Sequence, residues 1–177
     1  MNDALKRNIY GTVTAPATLT MERVLPGPIE RIWSYLTESD LRRQWLASGE
    51  MELKAGSSFS LTWRNDELTD PPGKRPDGMQ GTHTMESQIL AIDPPRSIAF
   101  TFGTAGEVYF TLEEKGDEVL LTLVHKRVPS RTVLLSVSTG WHMHLDVLEA
   151  RLRNDTPTPF WDGYAQLKSE YDRRLSA

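Results

Sequence analysis

The chain has no cysteine, so it forms no disulfide and offers neither a thiolate metal site nor a thiol nucleophile. It also lacks basic excess. The 20 Lys and Arg against 24 Asp and Glu leave a net charge of −4, whereas nucleic acid or an anionic membrane surface calls for a basic patch. No apolar run is long enough to span a bilayer. Residues 1–17 mix Asp3, Lys6, Arg7 and Asn8 with single apolar residues, in place of the continuous apolar core of an export signal. The expectation is a cytoplasmic protein with no nucleic-acid and no membrane partner. A Gly-rich phosphate loop, a G-x-S-x-G elbow and a conspicuous pair of carboxylates are all missing. His142 and His144 form an H-x-H, but residues two apart on a helix face nearly opposite sides. With no converging ligand set, no metal and no cofactor is expected.

What is present reads as one globular domain. The 177 residues are 38% hydrophobic and 25% charged, with a loose arm over 1–16 and a single domain over 17–175. Leu19, Met21 and Leu25 alternate with polar residues, which predicts a half-buried strand. Arg23 is in phase with them, so without a bulge its guanidinium faces inward and needs a carboxylate such as Glu86 or a ligand anion; a strand end near solvent accounts for it equally well. Pro28 opens a helix over 28–37 whose Ile29, Ile32, Trp33 and Leu36 share a face. Ser39 or Asp40 then caps a short second helix carrying Leu41 and Trp45. Strands follow, with Phe59, Leu61 and Trp63 on one inward face. Ile98, Phe100 and Phe102 make another; then come Val108, Phe110 and Leu112, and last Val119, Leu121, Leu123 and His125. Between the first two of these lies a polar, Pro-rich loop at 64–78, read most simply as solvated and alternatively as a cavity lid. The chain ends in a long helix over 133–153 with a stripe of Val137, Trp141, His144, Leu145, Leu148 and Leu152, and a second helix over 160–174.

A twisted antiparallel meander must cover its apolar face, and one long helix laid across it does so. A sheet curling round a helix does not touch it everywhere, so a pocket between them is expected. Four stretches in register carry a more specific likeness: RVLPGPIERIWSYLTESDLRRQWL (23–46), ILAIDPPRSIAFTF (89–102), VYFTLEEKGDEVLLTLVH (108–125) and GWHMHLDVLEARL (140–152). Together with PFWDGYAQLKSEY (159–171), they resemble the START-like (SRPBCC) superfamily. Within it the likeness is to the branch named for the C-terminal domain of an activator of a heat-shock chaperone ATPase. The resemblance implies an α+β helix-grip (START/Bet v-like) fold of six to seven strands, with a cavity for lipids, polyketides or other apolar ligands. It supplies no shared catalytic residues.

The candidate lining of such a cavity is Trp63, Phe100, Phe102, Phe110, Leu112, Leu123, His125, Trp141, His144 and Leu148, on inward strand faces and the long helix stripe. Each of these residue types also serves as plain core. His125 and His144 could face one space from opposite walls, or each could rest on a backbone carbonyl. Three functions fit this pattern. The first is a binding module for a small apolar molecule. The second is a cyclase- or hydrolase-type enzyme with a cavity histidine as general base. The third is a chaperone-interaction domain, which would require a large exposed apolar patch.

Overall fold

The computed structural model describes residues 9–175. Seven strands form one antiparallel sheet: β1 (Thr12–Ala15), β2 (Thr18–Pro26), β3 (Ser58–Trp63), β4 (His83–Asp93), β5 (Ser97–Thr101), β6 (Glu107–Lys115) and β7 (Glu118–Lys126). Their order across the sheet is β1-β2-β7-β6-β5-β4-β3. Strands β3 to β7 are a meander, and β2 closes onto β7 with Leu19 opposite His125 and Leu25 opposite Val119. Between β2 and β3 lie two short helices, α1 (Ile29–Thr37) and α2 (Ser39–Arg42). The long helix α3 (Arg131–Arg153) covers the sheet's inner face, and α4 (Phe160–Arg174) folds back against α3. The helix-grip architecture implied by the resemblance is the one present.

Local chemistry explains the elements. The β2 residues Leu19, Met21, Arg23 and Leu25 are all buried, as the period-two pattern demands. Ser130 starts α3 by accepting a hydrogen bond from the Val133 N–H, and Asn154 ends it in the left-handed conformation at φ 55°. The expected stripe on α3 is buried along its whole length, yet so are His142, Met143 and Val147 on the other side. Helix α4 causes this second burial. A Cβ at Gly163 would sit 2.5 Å from the Met143 sulfur, so glycine lets the two helices approach closely.

Three expectations need correction. The arm foreseen as loose over 1–16 pairs as β1 over its last residues, with Val13 opposite Leu19, while residues 1–8 lie outside those described. Ser39 does not cap α2. It is the first helical residue, and its Oγ accepts from the Gly49 N–H, while the buried Arg42 guanidinium donates to the carbonyls of Leu36, Thr37, Ala47 and Gly49. The 64–78 loop is not simply solvated. A 3-10 turn at Asn65–Glu67 leads into buried Leu68 and Thr69, and this stretch is bonded to α4. The Phe160 and Trp161 N–H groups donate to Thr69 Oγ1 and the Pro72 carbonyl, and the Trp161 indole donates to Asp66. Orphan donors at a helix start need acceptors, and the loop provides them.

Candidate functional site

A void lies between the middle of α3 and the ends of β3 and β5. Its inner lobe, about 120 Å³, is bounded by Trp63, Phe102, Val137, Trp141, Leu46 and His144. An outer lobe of about 340 Å³ shares Trp63, Phe102, Ser136, Gly140 and His144 with the first, so the two are compartments of one cavity. Met79, Gln80, His83 and Met85 line one side of the outer lobe, and Phe160, Trp161 and Tyr164 of α4 the other. Of the strap at 65–72, Asn65 enters the wall of the outer lobe.

Aromatic rings dominate the walls and hold one another in place. Phe102 lies 5.8 Å from Trp63 and 5.6 Å from Trp141 between ring centres, and Phe160 lies 5.1 Å from His144. Such contacts, at edge or tilted angles, suit the ring quadrupoles. Trp141 is fixed further: its indole N–H donates to His125 Nδ1 at 3.0 Å, and His125 Nε2 bonds to the Ala105 carbonyl at 2.6 Å. A carbonyl only accepts, so His125 carries its proton on Nε2 and uses Nδ1 as acceptor. Burial lowers the His125 pKa, with the Ala105 bond opposing.

Of the ten residues expected to line a cavity, Trp63, Phe102, Trp141 and His144 do so. The other six are not brought to it. Phe100 and Phe110 form a run of edge and tilted ring contacts with Phe59 and Trp45, and Leu112, Leu123 and Leu148 are packed in the core. His125 stands behind Trp141 and positions its ring. The two histidines therefore do not face one space; each meets a backbone carbonyl, and only His144 also reaches the cavity. Sequence reasoning missed Gly140, Ser136, Phe160, Trp161 and Tyr164. Gly140 alone left a signal, as a glycine inside a long helix.

Arg23 finds a different partner from the one expected. Glu86 bonds to Ser60, whereas the Arg23 guanidinium meets Asp146 of α3 at 2.7 Å and donates to the Ile9 carbonyl. Beside this pair, His142 Nδ1 contacts the Tyr171 hydroxyl at 2.8 Å, and that hydroxyl accepts from the Gly11 N–H. The cluster lies away from the cavity and ties the start of the described chain to α3 and α4. Removing Asp146 strands a buried guanidinium, so Asp146→Ala should lower unfolding free energy by about 3 kcal/mol. Urea denaturation checks this, and a loss below about 1 kcal/mol would mean that solvent already screens the pair. Among the described residues no group of His, Asp and Glu could hold a metal ion, and no helix is long and apolar enough to cross a membrane.

Fold and site together define a class: an α+β helix-grip domain with an aromatic-walled void between sheet and long helix. Residues 26–153 match the family described as activator of Hsp90 ATPase homolog 1-like protein, and the chain belongs to that family. A Bordetella parapertussis protein with a solution NMR structure is 35% identical, over 96% of this chain and 92% of that one, with a TM-score of 0.80. CalU16 from Micromonospora echinospora is 22% identical, over 97% of this chain and 98% of its own, with a TM-score of 0.67. DynU16, from the dynemicin biosynthetic locus, is 16% identical over 80% of this chain and 49% of its own, with a TM-score of 0.60. The last two share the fold. No curated protein matches the sequence.

Proposed function

We propose that this chain is a cytoplasmic receptor for a small, apolar, ring-containing molecule held in the cavity beneath α3. The observation that carries the reading is Gly140. It sits inside a 23-residue helix, borders both lobes, and a Cβ built there would meet nothing within 4 Å. A helix-interior glycine costs about 1 kcal/mol relative to alanine, and nothing sterically requires glycine here. What glycine preserves is space. The aromatic lining supports the same reading, since small-molecule sites are concave, largely apolar and furnished with few polar groups. DynU16, similar in fold, comes from a biosynthetic locus, which accords with small-molecule work on this scaffold. The large apolar side chains most exposed among the described residues are Ile9, Val13, Leu53, Met79 and Leu90, on four separate stretches of chain. That distribution favours a small molecule over a chaperone as partner.

A ligand burying roughly 300 Å² of apolar surface gains about 7 kcal/mol before ordering costs, which sets micromolar affinity as the tight limit for apolar burial alone. A flavonoid such as naringenin should quench tryptophan fluorescence through Trp63 and Trp141. At a hundredfold excess over Kd it should raise the Tm by about 5 °C. Neither quenching nor a Tm shift with a panel of two- and three-ring compounds would count against the receptor reading.

A further inference from the structure

We infer that the cavity selects an uncharged ring compound carrying a hydroxyl, and that His144 Nε2 is the atom that accepts the hydroxyl's hydrogen bond. This deepens the receptor reading and rests on it. The first observation is the state of the His144 ring. Its Nδ1 lies 2.8 Å from the Trp45 carbonyl, which only accepts, so Nδ1 holds a proton. The tautomer then leaves Nε2 as a bare lone pair. Among the described residues, Arg23 Nε, Asn65 Oδ1, Ser87 Oγ and Ser138 Oγ are buried without a partner. His144 Nε2 is not among these sealed atoms, and among the described residues no hydrogen bond to it is present. The space that His144 borders is the cavity, in both lobes, and the ring edge opposite the Trp45 bond is assigned to it.

The second observation is charge. No Lys, Arg, Asp or Glu among the described residues lines either lobe. A carboxylate, phosphate or ammonium entering would lose its hydration with no ion to replace it. Protonating His144 to pair with an acid is opposed by burial, which holds its pKa down to about 4. An acceptor left unsatisfied in an apolar cavity rewards a donor and penalises an isostere that lacks one. A fatty acid fails on charge and an ether on polarity. A phenol or a ring alcohol satisfies both.

The test is a series of naphthalenes of near-equal shape, titrated calorimetrically at pH 7.5: 2-naphthol, 2-methoxynaphthalene and 2-naphthoate. The wild-type protein should bind 2-naphthol about tenfold more tightly than 2-methoxynaphthalene, and 2-naphthoate more weakly still. In His144→Asn, the side-chain amide can still donate to the Trp45 carbonyl, but the cavity-facing acceptor is gone. The naphthol preference should then fall to within twofold. The His144 Nε2 nitrogen resonance of the wild-type protein, which needs no variant, should shift on adding 2-naphthol and not on adding 2-methoxynaphthalene. Equal binding of naphthol and ether by the wild type, or tightest binding of naphthoate, would overturn the inference while leaving the receptor reading intact. If no naphthalene binds at all, both fall together.

Discussion

Gly140→Leu should abolish ligand binding, by a hundredfold or more in Kd, while leaving the fold at least as stable as before. The leucine side chain enters a region where even a Cβ has no neighbour within 4 Å, and it fills space that both lobes share. Helix propensity rises by about 1 kcal/mol at the same time, and the new methyls exchange water or void for aromatic walls. Gly140→Ala separates the two contributions. It should raise stability by about 1 kcal/mol through propensity alone and weaken binding only modestly, because one methyl leaves most of the cavity open. Leu148→Trp provides the contrast. Leu148 lies about two turns further along α3, wholly buried and bordering neither lobe. A tryptophan there overpacks the core and should cost about 2 kcal/mol or more, with binding lost only as far as folding is lost. Denaturation midpoints and calorimetric Kd values for the three variants decide the matter. If Gly140→Leu unfolds the domain and Leu148→Trp does not, the void has been placed on the wrong turn of α3.

The contrast between Gly140 and Leu148 also marks what the sequence made legible. Strand faces and helix stripes follow from periods of 2 and 3.6, and the inward side of β2, β3, β5, β6 and β7 was readable residue by residue. Periodicity reports burial, however, and burial does not distinguish a packed side chain from one that borders a void. Leu148 and Trp141 share one stripe, yet only Trp141 reaches the cavity. That distinction depends on where the curved sheet parts from the helix, a tertiary quantity with no local signature. The contribution of α4 was hidden for a related reason. Phe160, Trp161 and Tyr164 are anchored by a polar loop whose docking rests on single hydrogen bonds accepted by Thr69, Pro72 and Asp66. Arg23 shows the same limit. Its inward direction was legible, while its partner, 123 residues away in Asp146, was not.

The fold should lose stability steeply in mild acid, by about 4 kcal/mol between pH 7 and pH 5. Three histidines are buried in the neutral form, and two have pKa values far below the ordinary 6.5. Burial holds His144 at about 4. His142 falls to about 3 because of burial first and then the positive charges of Arg23 and Arg174. His142 is faced by Arg23 from β2, Asp146 from its own helix, and Tyr171 and Arg174 from α4. The Asp146 carboxylate, 3.6 Å away, does not reverse the balance, since it is already engaged by Arg23. In the unfolded chain these imidazoles take up protons as pH drops through about 6.5, whereas in the native state they stay neutral until pH nears 4. The unfolded state therefore binds more protons throughout that window, and each histidine removes about 1.4 kcal/mol of stability per pH unit within it. Asp146 acts in the opposite sense, because burial raises its pKa against the pull of Arg23, so protonation comes sooner in the folded state than in the unfolded one. Urea denaturation at pH 7, 6 and 5 measures the slope. A curve flat to within 1 kcal/mol would mean that His142 and His144 are already protonated or solvated in the native state, and the bare Nε2 acceptor in the cavity would be lost with that result.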